Sequence, residues 1–126
     1  INELIKLKSI TMDLLKYLEQ VASDPKSADF KQTIDLIDEY YQFSPASFKN
    51  GQIYNEAGNN NGSCKIFALG LLKGLSKETT LALFGEHYFD GVLKDPEGDS
   101  HQNIRNFMNT GWSGIAFDTE ALQPVK

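Results

Sequence analysis

The chain has 126 residues, 40% of them apolar and 23% charged, a composition that fits one globular domain with a real core. Seventeen acids against twelve bases leave a net charge of −5 with no basic stretch, so nucleic acid and anionic membrane surfaces are poor partners. A single cysteine excludes an intramolecular disulfide, and no apolar run reaches membrane-spanning length.

In chain order, Thr11 is a good N-cap type, and Leu14, Leu15, Leu18, Val21 and Ala22 follow at helical spacing until Asp24-Pro25 breaks the pattern. Ile1 is not an initiator residue, so residues 1–11 are read as an N-terminal extension of undetermined origin and residues 12–122 as a single helical domain. Phe30, Ile34, Ile37 and Tyr41 step by four, three and four, which predicts an amphipathic helix over roughly 27–41. Ser44-Pro45 opens a short turn presenting Phe48, and Asn50-Gly51 signals another turn. Gln52 to Asn55 could be extended, but too little flanks it to predict a sheet.

The helix after Ser63 is expected to be central, because Ile66, Phe67, Ala68, Leu69, Leu71 and Leu72 leave no polar side. Gly74 is its expected stop and Ser76 the cap of the next helix, which covers Leu81 to Phe84. A short helix over about 86–93 and a loop at Asp95-Pro96-Glu97-Gly98 come next. Asp99 or Ser100 then caps a helix from His101 to Asn109, with Gly111 as its stop. The chain beyond Leu122 reads as a frayed tail. The expected fold is therefore mainly α: a compact single domain of about six helices with a central buried helix and long polar loops.

Two polar blocks carry the chemistry. The first, Asn55 to Lys65, packs Asn55, Glu56, Asn59, Asn61, Ser63 and Cys64 ahead of the buried helix. The second is His101 to Asn106. Each sits where a helix begins, and a helix N-terminus offers unpaired N–H groups and partial positive charge. The blocks are expected to meet in one cleft suited to an anionic or carbonyl ligand, with Asn55, Glu56, Asn59, Asn61, Ser63, Lys65, Asn103, Arg105 and Trp112 as candidate contacts. Cys64 near a helix start, with His101 as base, has the thiol–imidazole logic of a hydrolase or acyl transferase. The plainer alternatives are a buried, inert thiol, turn chemistry in the Asn-rich run, Arg105 as a clamp on Glu56, and Trp112 as core. Cys64, His101 and Glu56 could supply three metal ligands, but no close-spaced ligand pair supports a metal site, and no cofactor is expected.

The blocks also carry a resemblance. Asn55-Glu56-Ala57-Gly58, Asn61-Gly62-Ser63-Cys64-Lys65, Phe84-Gly85, Pro96-Glu97-Gly98, His101-Gln102-Asn103-Ile104-Arg105-Asn106-Phe107 and Thr110-Gly111-Trp112 resemble the HopJ type III effector family, in order, from about Met12 to Phe117. The resemblance implies a bacterial protein without an established biochemical activity. It is expected to be cytoplasmic, or to enter host cells if it is a true effector. Three functions follow as expectations: a small-ligand binding domain, a thiol-dependent enzyme, and an effector acting by protein–protein interaction. The partner is accordingly a small molecule or a protein, with neither nucleic acid nor membrane.

Overall fold

The computed structural model describes the backbone of residues 2–125 and the side chains of residues 13–125. Helix α1 spans Asn2–Ser23, so Thr11 lies within a helix that begins upstream. A 3₁₀ turn at Pro25–Ser27 follows, where Pro25 ends the helical run. Helix α2, Phe30–Tyr40, starts three residues later than the pattern predicts because the Asp29 carboxylate caps it, accepting from the Gln32 N–H at 3.0 Å. The Tyr17 and Thr33 hydroxyls, 2.6 Å apart and buried, fasten α1 to α2.

The mainly-α expectation is overturned, because five short strands form two antiparallel sheets and make the fold α+β. Strand β1 (Tyr41–Phe43) pairs with β5 (Leu122–Pro124), aligning Phe43 with Leu122. The segment expected to fray is thus the partner strand that closes this sheet. Strands β2 (Phe48–Asn50) and β3 (Ile53–Asn55) form a hairpin around Gly51, whose φ of +61° a side chain would resist. Strand β4 (Ile115–Phe117) adds to the other edge of β2, setting Phe48 opposite Phe117.

Helix α3, Asn61–Lys73, begins two residues before Ser63. Its first turns are the centre of the core, as its apolar sequence requires. The fully buried Phe67 ring packs against Phe107, Phe84 and Phe48 at centroid distances of 4.8, 5.5 and 5.9 Å. Burying a side chain of this size contributes about 2–3 kcal/mol. The last turn leaves the core, and Leu71 and Leu72 are 50% and 55% exposed. Gly74 ends α3 at φ +63°, with Leu75 N–H on Gly70 O and Gly74 N–H on Leu71 O, the paired bonds of a Schellman stop.

Helix α4, Lys77–Ala82, is capped by the Ser76 hydroxyl, which accepts from Thr79 N–H at 3.0 Å. A π-helical turn, His87–Val92, leads to α5, Gln102–Thr110. Neither Asp99 nor Ser100 caps α5; the N-cap is His101, in the left-handed region at φ +54°. A 3₁₀ turn, Gly111–Gly114, joins α5 to β4.

Candidate functional site

Five asparagines join the start of α3 to the start of α5. Asn55, at the end of β3, and Asn103, in the first turn of α5, are both buried, and a buried amide must find partners. They find each other: Asn55 Nδ2 donates to Asn103 Oδ1 and Asn103 Nδ2 donates to Asn55 Oδ1, each at 3.0 Å. Asn60, the N-cap of α3 at φ +55°, donates its Nδ2 to Asn55 Oδ1 at 2.7 Å. Asparagine tolerates that conformation better than most residues. Asn50 Nδ2 donates to Asn103 O at 2.8 Å and to its Oδ1 at 3.0 Å. Asn106 Nδ2 in turn donates to Asn50 O at 3.0 Å. Asn50 Oδ1 is buried without a partner among the described residues.

The network holds the two helix starts on the walls of one open cleft of about 400 Å³. Phe30, Ile53, Phe84 and Ile104 give it an apolar floor, and Asn55, Asn60, Ser63, His87, His101 and Asn103 give it polar walls. Neither N-cap side chain, Asn60 nor His101, makes a capping hydrogen bond among the described residues. The intrahelical ladders begin with Cys64 N–H on Asn60 O at 3.0 Å and Arg105 N–H on His101 O at 3.1 Å. The N–H groups of residues 61–63 and 102–104 therefore lie ahead of both ladders, at the positive ends of two helices. Phe30 meets the His87 ring edge-on at 4.5 Å, and His87 lies 5.0 Å from the His101 ring. Gly91 makes room for that pair, since a Cβ there would stand 3.1 Å from His101 Nε2. Burial, then His87 and Arg105, holds the His101 pKa below its usual value, so the imidazole is neutral at pH 7.

Of the candidates from the sequence, Asn55, Ser63, His101 and Asn103 line the cleft. The others stand elsewhere. Glu56, Asn59 and Asn61 are exposed and outside the lining. Lys65 pairs with Asp38 at 2.8 Å and sits 4.8 Å over the Phe43 ring. Arg105 clamps a loop rather than Glu56: its Nε donates to Ser100 O at 2.5 Å and its Nη1 to Asp95 O at 2.9 Å. Trp112 is half-buried and packs against the core: its Nε1–H donates to Leu75 O at 2.9 Å, and its ring lies 4.9 Å from Phe107. Among the described residues no three His, Cys, Asp or Glu side chains gather as a metal site would require. Asn50, Asn60, His87 and Phe30 were missed. Their signal is modest: two more members of an Asn-rich set, a histidine beside Tyr88 and Phe89 that the sequence reads as a packing or surface residue, and an aromatic in a helix stripe.

Cys64 is 1% exposed, and its Sγ donates to Ala46 O at 3.6 Å, away from the cleft lining. Burial raises its pKa, outweighing the Ala46 bond and the Lys65 charge, which lower it. A thiol held this way is a poor nucleophile. Iodoacetamide should therefore label native Cys64 only through unfolding, so the labelling rate should follow denaturant stability. Fast labelling of the folded protein at neutral pH would contradict this.

The family model described as HopJ type III effector protein matches residues 14–122, which include every cleft residue. The chain belongs to the HopJ family. A solved structure titled as the crystal structure of the unknown function protein VPA0580 is similar to it at 53% sequence identity. The likeness covers 89% of this chain and 93% of that one, with a TM-score of 0.87. Among curated proteins, none matches significantly. In this HopJ-family chain no described helix is long and apolar enough to cross a membrane.

Proposed function

We propose that the protein is a small-ligand binding domain whose cleft takes an anionic or carbonyl group between the starts of α3 and α5. One observation carries the reading: two helix N-termini, neither capped by its own N-cap side chain, open into the same hollow, fixed there by a buried asparagine network. Backbone N–H groups and two helix dipoles favour negative charge, and a neutral His101 can donate or accept at the rim. The apolar floor suits the body of a small organic acid or ester. The ligand is met in the cytoplasm of the bacterium or, following the family's description, of a host cell.

Ser63→Asp separates binding from folding. Ser63 stands in the first turn of α3, where a carboxylate is favourable by about 0.3–1 kcal/mol and would occupy the helix end itself. The variant should be at least as stable as the natural protein yet lose anion binding. Thermal unfolding across a panel of phosphate, sulfate and carboxylates reads both. Ligand at about a hundredfold over its Kd stabilises by about 2.7 kcal/mol. No stabilisation by any anion, or equal stabilisation of Ser63→Asp, would contradict the reading.

The His101 titration gives a second readout. Its folded pKa lies below the unfolded value, so its contribution to stability is present above the unfolded pKa and is lost as pH falls through the folded one. A bound anion favours the imidazolium. Phosphate should therefore raise the His101 pKa followed by proton NMR, and Ser63→Asp should raise it without phosphate.

A further inference from the structure

A second concavity, of about 350 Å³, lies between the last turns of α3 and the loop joining β4 to β5. It shares no lining residue with the cleft. The sequence of α3 explains it. The helix is apolar on every side, but its C-terminal turn has left the core, so Leu71 and Leu72 project with half their surface in water. Isolated exposed leucines are ordinary; these are continuous with Ala68, Phe117 and Leu122 along one groove.

The charge at the rim is of one sign. Asp118 and Glu120 line the groove, and no lysine or arginine does. Asp118 Oδ2 accepts from the Tyr54 hydroxyl at 2.6 Å, and the Glu120 carboxylate accepts from the Gln123 amide. Both donors are neutral, and neither acid belongs to an ion pair among the described residues. The groove therefore offers an apolar trough under two negative charges that no described residue pairs, on a chain that is itself net negative.

We infer that this groove docks a basic amphipathic helix of a partner protein. Its apolar face packs on Ala68, Leu71 and Leu72, which follow helical i, i+3, i+4 spacing, and its Lys or Arg residues meet Asp118 and Glu120. Like charge across the groove repels acidic segments, so the same two carboxylates provide selectivity. A second copy of this acidic chain is electrostatically the poorer occupant.

The test uses the full chain and a fluorescein-labelled amphipathic Leu/Lys peptide, with a Leu/Glu peptide of equal length and helicity beside it. Anisotropy should show saturable binding of the Leu/Lys peptide only. Leu72→Asp changes an exposed side chain and should weaken binding at least about tenfold, as should Asp118→Asn with Glu120→Lys, in which Asn can still accept from Tyr54. Leu15→Asp, at an exposed leucine of α1 outside the groove, should leave affinity unchanged, and circular dichroism checks that each variant is folded. Equal binding of both peptides, or affinity indifferent to Leu72→Asp, overturns the proposal. So does sedimentation showing a dimer of the natural chain that Leu72→Asp dissociates, because a second copy is then the occupant.

Discussion

Replacing Asn103 by leucine should lower the unfolding free energy by about 3 kcal/mol, a large change for one side chain. Leucine is of similar size, so the cost is not a cavity. It is the loss of both bonds of the reciprocal pair: Asn55 Nδ2 loses its acceptor and Asn55 Oδ1 loses one of two donors. Asn55 is 3% exposed, so water cannot readily replace what is lost. Asn50 fares better, because it keeps its bond to the Asn103 backbone carbonyl. Aspartate at the same position is the informative contrast. It retains the oxygen that accepts from Asn50 and Asn55, and its charge lies in the first turn of α5, but its second oxygen faces Asn55 Oδ1 where Asn103 Nδ2 donates, so Asn103→Asp keeps part of the network and should still destabilise. Urea denaturation of the two variants measures the difference. Equal and small losses would mean that the asparagines do not hold the cleft together.

Gly70→Ala should destabilise by about 2 kcal/mol, although helix propensity alone predicts a gain of about 1 kcal/mol inside α3. Sterics decide the sign. A Cβ on Gly70 would stand 2.6 and 2.7 Å from two atoms of the Trp112 ring and 3.0 Å from Thr80 Oγ1. Trp112 cannot easily withdraw, because its Nε1–H is tied to Leu75 O and its ring is pinned by Phe107 and Phe67. Thr80 is fully buried and donates to Ser76 O at 2.8 Å. Adding Trp112→Phe should relieve most of the Gly70→Ala penalty, which a double-mutant cycle of thermal unfolding would report as coupling. If Gly70→Ala is stabilising, the helix and the indole are not in the close contact described.

These two residues also mark how far the sequence could be read. The helices were legible from periodicity and punctuation. Gly74, Ser76 and Gly111 stop or cap where their chemistry directs, and the all-apolar character of α3 correctly located the centre of the core around Phe67. The sheets were not legible, and the reason is length. Each strand has three residues, too few to display alternation, and the pairings join distant segments, Phe43 with Leu122 and Phe48 with Phe117. Only the tertiary contact makes those segments strands. The start of α5 misled for a similar reason: Asp99 and Ser100 are better caps by propensity, but the backbone turns at His101, which stacks near His87 over Gly91. At the site, residue type located both polar blocks but could not show which way each side chain turns. Lys65, Arg105 and Trp112 are functional types used here for structure, while Asn60 and His87 reach the cleft from positions that drew little attention.

An amide-resolved NMR titration of the ¹⁵N-labelled protein with inorganic phosphate examines the anion cleft most directly. The largest shifts should fall together on the N–H groups of 61–63 and 102–104, saturate with one affinity, and vanish in Ser63→Asp. Shifts scattered over the surface without saturation, or confined to one of the two helix starts, would contradict a shared anion site.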